Sequence, residues 1–237
     1  MSTQTQHVEQ ASRPAPRGPA ATAGVLLVTW VVVLGAVVGF GWLITHPLQG
    51  SVNPWDNDVS RWFADQRTST LAPFGDIGTL LGETPVGVGV AVLAALGFSL
   101  WQRSWRPAVF YALAEAGIGG FYVVATHVDT RQRPPVKILD AGLVPDHSFP
   151  SGHVATAVVA YGGIFVLTAV YARAARKVVG GVVLLLPAFV LLARLYQGAH
   201  HLTDVLTSVV YAGVWMLVVA RLVLVPEVDE AARPLTR

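Results

Sequence analysis

Apolar residues gather in long blocks along this chain instead of repeating at the period of a soluble helix or strand. Nearly uncharged runs occupy residues 23–45, 84–101, 107–126, 151–172, 178–197 and 203–223. A helix needs about 20 mostly apolar residues to cross a bilayer. The pattern therefore predicts six membrane spans in an all-α, polytopic membrane protein. The first run is too long for the apolar region of a signal peptide and has no clear small-residue cleavage site. Residues 47–83 are polar and amphipathic, with Trp55, Trp62 and Phe63 among Asp56, Asp58, Arg61 and Asp65. They read as one or two short helices at the membrane surface. Residues 1–22, rich in Ala, Pro, Thr, Gln and Arg, have no apolar period and read as a disordered tail. Residues 23–225 then form one six-helix domain, and 226–237 a short C-terminal tail.

Composition sharpens this picture. Of 237 residues 53% are hydrophobic and 13% charged, about half the charged share of an ordinary soluble domain. A net charge of +2, spread along the chain, excludes a nucleic-acid partner. With no cysteine, disulfide and thiolate chemistry are excluded as well. The basic turns at Arg103/Arg106 and Arg173/Arg176/Lys177 fall on one side of a six-span layout, together with both termini. The positive-inside tendency makes that side cytoplasmic. The loop at 127–150 and the turn at 198–202 then face outward, across the plasma membrane. Trp30, Trp42, Trp101, Trp105 and Trp215 fit interfacial belts or packing.

Three polar clusters share the outward side. Arg131-Gln132-Arg133-Pro134 lies in the long loop. Phe149-Pro150-Ser151-Gly152-His153 opens the fourth span: Ser151 suits an N-cap, Gly152 admits a ligand close to the backbone, and the free N–H groups of a helix start suit phosphate. His153 in that first turn can give a proton to a group held there. The third cluster is Arg194, His200 and Asp204. His200 and Asp204 are four apart. On a helix that spacing lets the carboxylate hold one imidazole nitrogen and leaves the other as nucleophile. The forks of Arg133 and Arg194 match phosphate oxygens. Together these parts make a phosphoryl-transfer site.

These clusters resemble the three-part signature of the type-2 phosphatidic acid phosphatase superfamily, whose helical core is shared with vanadium-dependent haloperoxidases. The signature is Lys, six residues, Arg-Pro; Pro-Ser-Gly-His; then Ser-Arg, five residues, His, three residues, Asp. The resemblance implies His200 as a nucleophile that becomes phosphohistidine, Asp204 as its orienting partner and His153 as the acid. It implies Arg133, Ser151, Gly152 and Arg194 as a phosphate cradle, with no metal and no cofactor. It also implies a lipid phosphate or pyrophosphate held in the bilayer as substrate. Undecaprenyl pyrophosphate ranks first, ahead of phosphatidic acid and phosphatidylglycerol phosphate. Two positions depart from the signature: Thr126 replaces the lysine and Ala193 the serine. Arg131, Lys137 and His127 are the candidates to supply the missing cation, with Arg131 added to the phosphate-binding set.

Other readings stand beside this one. The two histidines at 200–201 with Asp204 are also metal-ligand types, although nearby arginines favour an anion. Glu115 lies inside the third span, eleven residues before Thr126, so both point the same way. Glu115 and Thr126 line the cavity under the site, with Glu115 available to an arginine such as Arg194; or Glu115 is a protonated helix contact. A lipid-binding or transport protein that keeps the site, and a phosphotransferase with a hydroxyl acceptor, are the readings of other classes.

Overall fold

The computed structural model describes residues 18–224. Nine helices occupy them: α1 (Pro19–Thr45), α2 (Gln49–Asp65), α3 (Ala72–Gly82), α4 (Thr84–Gln102), α5 (Arg106–Val128), α6 (Gly152–Tyr171), α7 (Arg176–Val183), α8 (Leu185–Tyr196) and α9 (Leu202–Val223). Counting Arg176–Tyr196 as one, six are long and apolar enough to cross a membrane. They coincide with the six apolar runs of the sequence. Most of the expected N-terminal tail and all of 226–237 lie outside the described residues. The first helix starts at Pro19, four residues ahead of the expected span, because proline is tolerated in a helix's first turn.

The fifth span differs from expectation in being broken at Leu184. Pro187 stands three residues beyond the break. It has no N–H to return to the preceding turn, and its ring clashes with that turn, so a new helix starts there.

Helix α6 is the axis of the bundle. In α6 72% of the apolar window is buried, against 11% in α1. Helices α4, α5, α8 and α9 pack around α6, and α1 lies outside against α5 and α9. Without a hydrophobic force between helices inside lipid, close approach depends on small residues. A side chain at Gly87 of α4 would overlap Thr156 of α6, and one at Gly117 of α5 would overlap the Trp215 indole of α9. Trp215 Nε1 donates to the Leu113 carbonyl at 3.1 Å, and Trp30 Nε1 to that of Gly117 at 3.2 Å. These two tryptophans pack inside the bundle, whereas Trp42, Trp101 and Trp105 are exposed as belt residues would be.

Spans alternate in direction. The C-terminal ends of α1, α5 and α8 and the N-terminal ends of α4, α6 and α9 therefore meet at one end of the bundle. Helices α2 and α3 and the loop 129–151 cover that end. The loop is tied to itself and to the bundle: Ser148 N–H donates to the Arg131 carbonyl, Arg133 N–H to that of Pro145 and Leu139 N–H to that of Gln197. The basic turns at 103–106 and 173–177 lie at the opposite end.

Candidate active site

The start of α6 is fixed to α9. Ser151 is the N-cap, its hydroxyl accepting from Val154 N–H at 3.5 Å, and its own N–H donates to Ser208 Oγ at 2.8 Å. Gly198, with φ +70, turns the chain after α8 and brings His200 back beneath the loop.

His200 is 3% exposed, and its Nδ1 lies 2.6 Å from the Ser148 carbonyl oxygen. A carbonyl only accepts, so Nδ1 carries the proton and Nε2 keeps its lone pair. Burial, and then the nearby Arg194 and Arg133 charges, hold the imidazole pKa well below its ordinary value of 6.5. The ring is a neutral base at physiological pH.

Asp204 does not hold His200, contrary to the expectation from their spacing. His200 lies in the turn ahead of α9, so the two residues do not share a helical face. Asp204 Oδ2 accepts from Ser148 Oγ at 2.6 Å and from His201 N–H at 2.8 Å, closing a capping box on α9. Its Oδ1 accepts from Arg131. The carboxylate thus fixes Ser148, and the Ser148 backbone carbonyl fixes the imidazole.

Arg131 also departs from its expected role. Its guanidinium is buried and spans Asp204 and Asp56, with further bonds to Thr203 Oγ1 at 2.6 Å and Asn53 Oδ1 at 3.2 Å. Burial alone would lower its pKa, but the two carboxylates more than reverse this and raise it. Arg131 is a strut between α2, the loop and α9, and it does not line the catalytic cavity.

That cavity holds about 240 Å³ between α4, α5 and α6. His200, His153, Gly152 and Arg133 line its top, with Tyr122, Thr84, Thr156 and Glu115 among the walls. The Arg133 fork reaches the carbonyls of Val144 at 2.8 Å, Ala199 at 2.5 Å and His147 at 3.1 Å, which uses three of its five N–H groups. Burial and the neighbouring Arg194 lower its pKa. Arg194 is fully buried. Its Nη1 donates to Asp140 Oδ2 at 2.8 Å and Thr79 Oγ1 at 3.0 Å, while Nε and Nη2 have no partner. Arg194 stands outside the cavity lining, and its two unpartnered donors along one edge of the guanidinium are of the kind that suits an oxyanion.

Glu115 lines the cavity as expected, and Thr126 does not: its hydroxyl turns back onto the Tyr122 carbonyl of its own helix at 2.8 Å. Nor does Glu115 pair with Arg194, whose acid is Asp140. Lys137 and His127 are exposed and outside the cavity lining, so neither replaces the absent lysine there. Among the described residues, no group of three His, Cys, Asp or Glu could hold a metal ion. Ser148, Asp140, Thr79 and Asp56 carry no motif, and their roles depend on contacts across 52 or more residues of chain.

The PAP2 superfamily profile matches residues 107–225, which hold all three clusters. The chain belongs to the PAP2 superfamily. The fold of this PAP2 protein is similar to the crystal structure titled the first transmembrane PAP2 type phosphatidylglycerolphosphate phosphatase from Bacillus subtilis. The TM-score is 0.64 at 21% identity, covering 90% of this chain and 98% of that one. No curated protein matches in sequence. Family and fold together make the chain a multi-pass membrane protein of the PAP2 class.

Proposed function

We propose that this PAP2 protein is a phosphatase that removes a terminal phosphate from a membrane lipid through a phosphohistidine on His200. The observation that carries the reading is the His200 ring: Nδ1 is engaged by Ser148, and Nε2 is free at a cavity shared with His153 and Arg133. Phosphate held at the N-terminus of α6 meets the first-turn N–H groups, with Arg133 and the free edge of Arg194 taking the remaining oxygens. Nε2 attacks phosphorus as the ester P–O bond breaks. His153 gives its proton to the leaving oxygen. Water then attacks the phosphohistidine, His153 takes the water proton, and the N–P electrons return to His200.

The charge of the cavity supports a phosphomonoester ahead of a pyrophosphate. A pyrophosphate brings more negative charge, yet the motif lysine is absent, and among the described residues the arginine charges at the site are Arg133, which lines the cavity, and Arg194, whose charge reaches His200. Phosphatidylglycerol phosphate and phosphatidic acid therefore rank ahead of undecaprenyl pyrophosphate, the favourite from sequence. The lipid tail leaves between α4 and α5, past Val88 and Ile118. The basic turns at the far end support a site on the outer face of the plasma membrane with cytoplasmic termini.

The test is phosphate release by detergent-purified protein from these three lipids, with and without EDTA. His200→Ala is expected to lower turnover at least about a thousandfold, as loss of a nucleophile does elsewhere. Wild-type release unaffected by EDTA fits the mechanism. Undiminished release by His200→Ala would overturn it.

A further inference from the structure

The phosphoryl-transfer mechanism leaves the carboxyl among the cavity-lining residues without a task. Glu115 stands in the middle of α5, and its Oε1 is buried with no hydrogen-bond partner. A buried, unpaired carboxyl oxygen costs about 1–3 kcal/mol or more, so an acid kept on an apolar membrane helix is expected to meet a partner. Glu115 lines the same cavity as His153 and His200. On α5 it lies seven residues below Tyr122, about 10 Å along the axis, and the Tyr122 ring packs beside Gly152 at the phosphate end. Glu115 thus faces the part of a substrate that follows the phosphoester into the bilayer.

Thr156, one turn of α6 below His153, shares this lower region, and Thr84, which opens α4, lines the cavity nearer the phosphate end. A carboxyl oxygen accepts a hydrogen bond, and threonine hydroxyls both donate and accept. That set fits a hydroxyl group, which needs one acceptor and offers lone pairs in return. A plain hydrocarbon leaves Glu115 unpaired, and so does an ester carbonyl facing the ionised carboxylate, since both groups only accept.

We infer that Glu115 is a specificity-determining residue that binds a free hydroxyl on the lipid close to its phosphoester, so that the protein favours lipid phosphates bearing such a hydroxyl over those lacking it. The inference rests on the phosphatase reading for its place beside the scissile bond. Its contact is with the ground-state lipid and is readable without turnover. A site built to bond a hydroxyl discriminates strongly against the analogue without one, because its own polar group is then buried unpaired.

The test uses two lipids that differ in one group: lysophosphatidic acid and its deoxy analogue, in which hydrogen replaces the free glycerol hydroxyl. Wild-type protein is expected to show a kcat/KM about tenfold or more in favour of the hydroxyl lipid. Glu115→Leu is expected to bring that ratio to within about twofold of unity, while Glu115→Gln, whose amide oxygen still accepts, keeps an intermediate ratio. Taking a ratio on one sample cancels any loss of folded protein, so a purely structural role for Glu115 would leave it unmoved. Equal turnover of both lipids by wild type, or an undiminished ratio in Glu115→Leu, overturns the inference. Binding of the same two lipids to His200→Ala protein, with and without Glu115→Leu, separates the two claims. A binding preference that depends on Glu115, in a protein whose wild type releases no phosphate, sinks the phosphatase reading and upholds the contact. Equal binding sinks the contact.

Discussion

Three arginines stand close in the sequence motifs, and their surroundings give them different work. Arg131 neutralises two buried carboxylates, Arg133 binds backbone carbonyls at the cavity roof, and Arg194 keeps two unpartnered donors. Removing one partner from a buried ion network costs about 3–5 kcal/mol, because the charges left behind stay buried. Arg131→Met is therefore expected to lower the melting temperature sharply, while the KM of the surviving folded protein changes little. Arg194→Lys keeps the charge and loses the fork. It is expected to lower kcat/KM by about a hundredfold or more with a small change in melting temperature, as loss of one transition-state donor does. Thermal unfolding in detergent beside steady-state kinetics checks both. The sequence grouped these residues as one phosphate-binding set. It did not show which was free, since Arg131 meets Asp56 from a stretch 75 residues away. His200 makes a related point about pH. In the proposed mechanism it attacks as the neutral base, and burial with two neighbouring arginines holds its pKa well below 6.5. Protonation as pH falls removes the nucleophile, so activity is expected to persist on acidification through 6.5 and to fail below it. A kcat/KM profile with an acid limb due to His200 centred at or above 6.5 would contradict this assignment.

Helices were the most legible level, because a bilayer demands long apolar runs and this chain writes them plainly. What stayed hidden was how closely the helices approach and where they break. The break at Leu184 follows from Pro187, yet a hydropathy profile passes through it unchanged. The geometry of His200 and Asp204 was misread for a related reason. Their four-residue spacing suits a helix, but Gly198 and the His201 N-cap start α9 only at Leu202. The contact between α4 and α6 gives a test at this scale. Gly87 has no room for a side chain against Thr156, which also lines the cavity. Gly87→Val forces the two helices apart, an overpacking worth about 1–3 kcal/mol of destabilisation. The displaced Thr156 and Thr84 are expected to raise KM for the lipid in the folded fraction. Gly89, two residues on and on a face with open space, gives the matched control Gly89→Val, with neither effect expected. Equal losses in both variants would mean that valine itself, not the α4–α6 contact, is responsible.

At the scale of the whole molecule, the site and the basic turns occupy opposite ends of one bundle, and the proposed orientation rests on this polarity. Lysine and arginine in short loops tend to be retained on the cytoplasmic side, which supports 173–177 inside and the loop over the site outside. The three basic residues of that loop weigh less against this than their number suggests, since Arg131 and Arg133 are engaged by partners within the protein. The chain has no cysteine, so a single introduced thiol reports its own position without background. Ala141 is exposed on the loop over the site and Ala174 is exposed in the basic turn. A membrane-impermeant maleimide added to intact cells is expected to modify Ala141→Cys and to reach Ala174→Cys only after the membrane is permeabilised. The reverse pattern would put the catalytic cavity in the cytoplasm. It would then direct the search for substrate to lipid phosphates of the inner leaflet, leaving the chemistry at His200 as it stands.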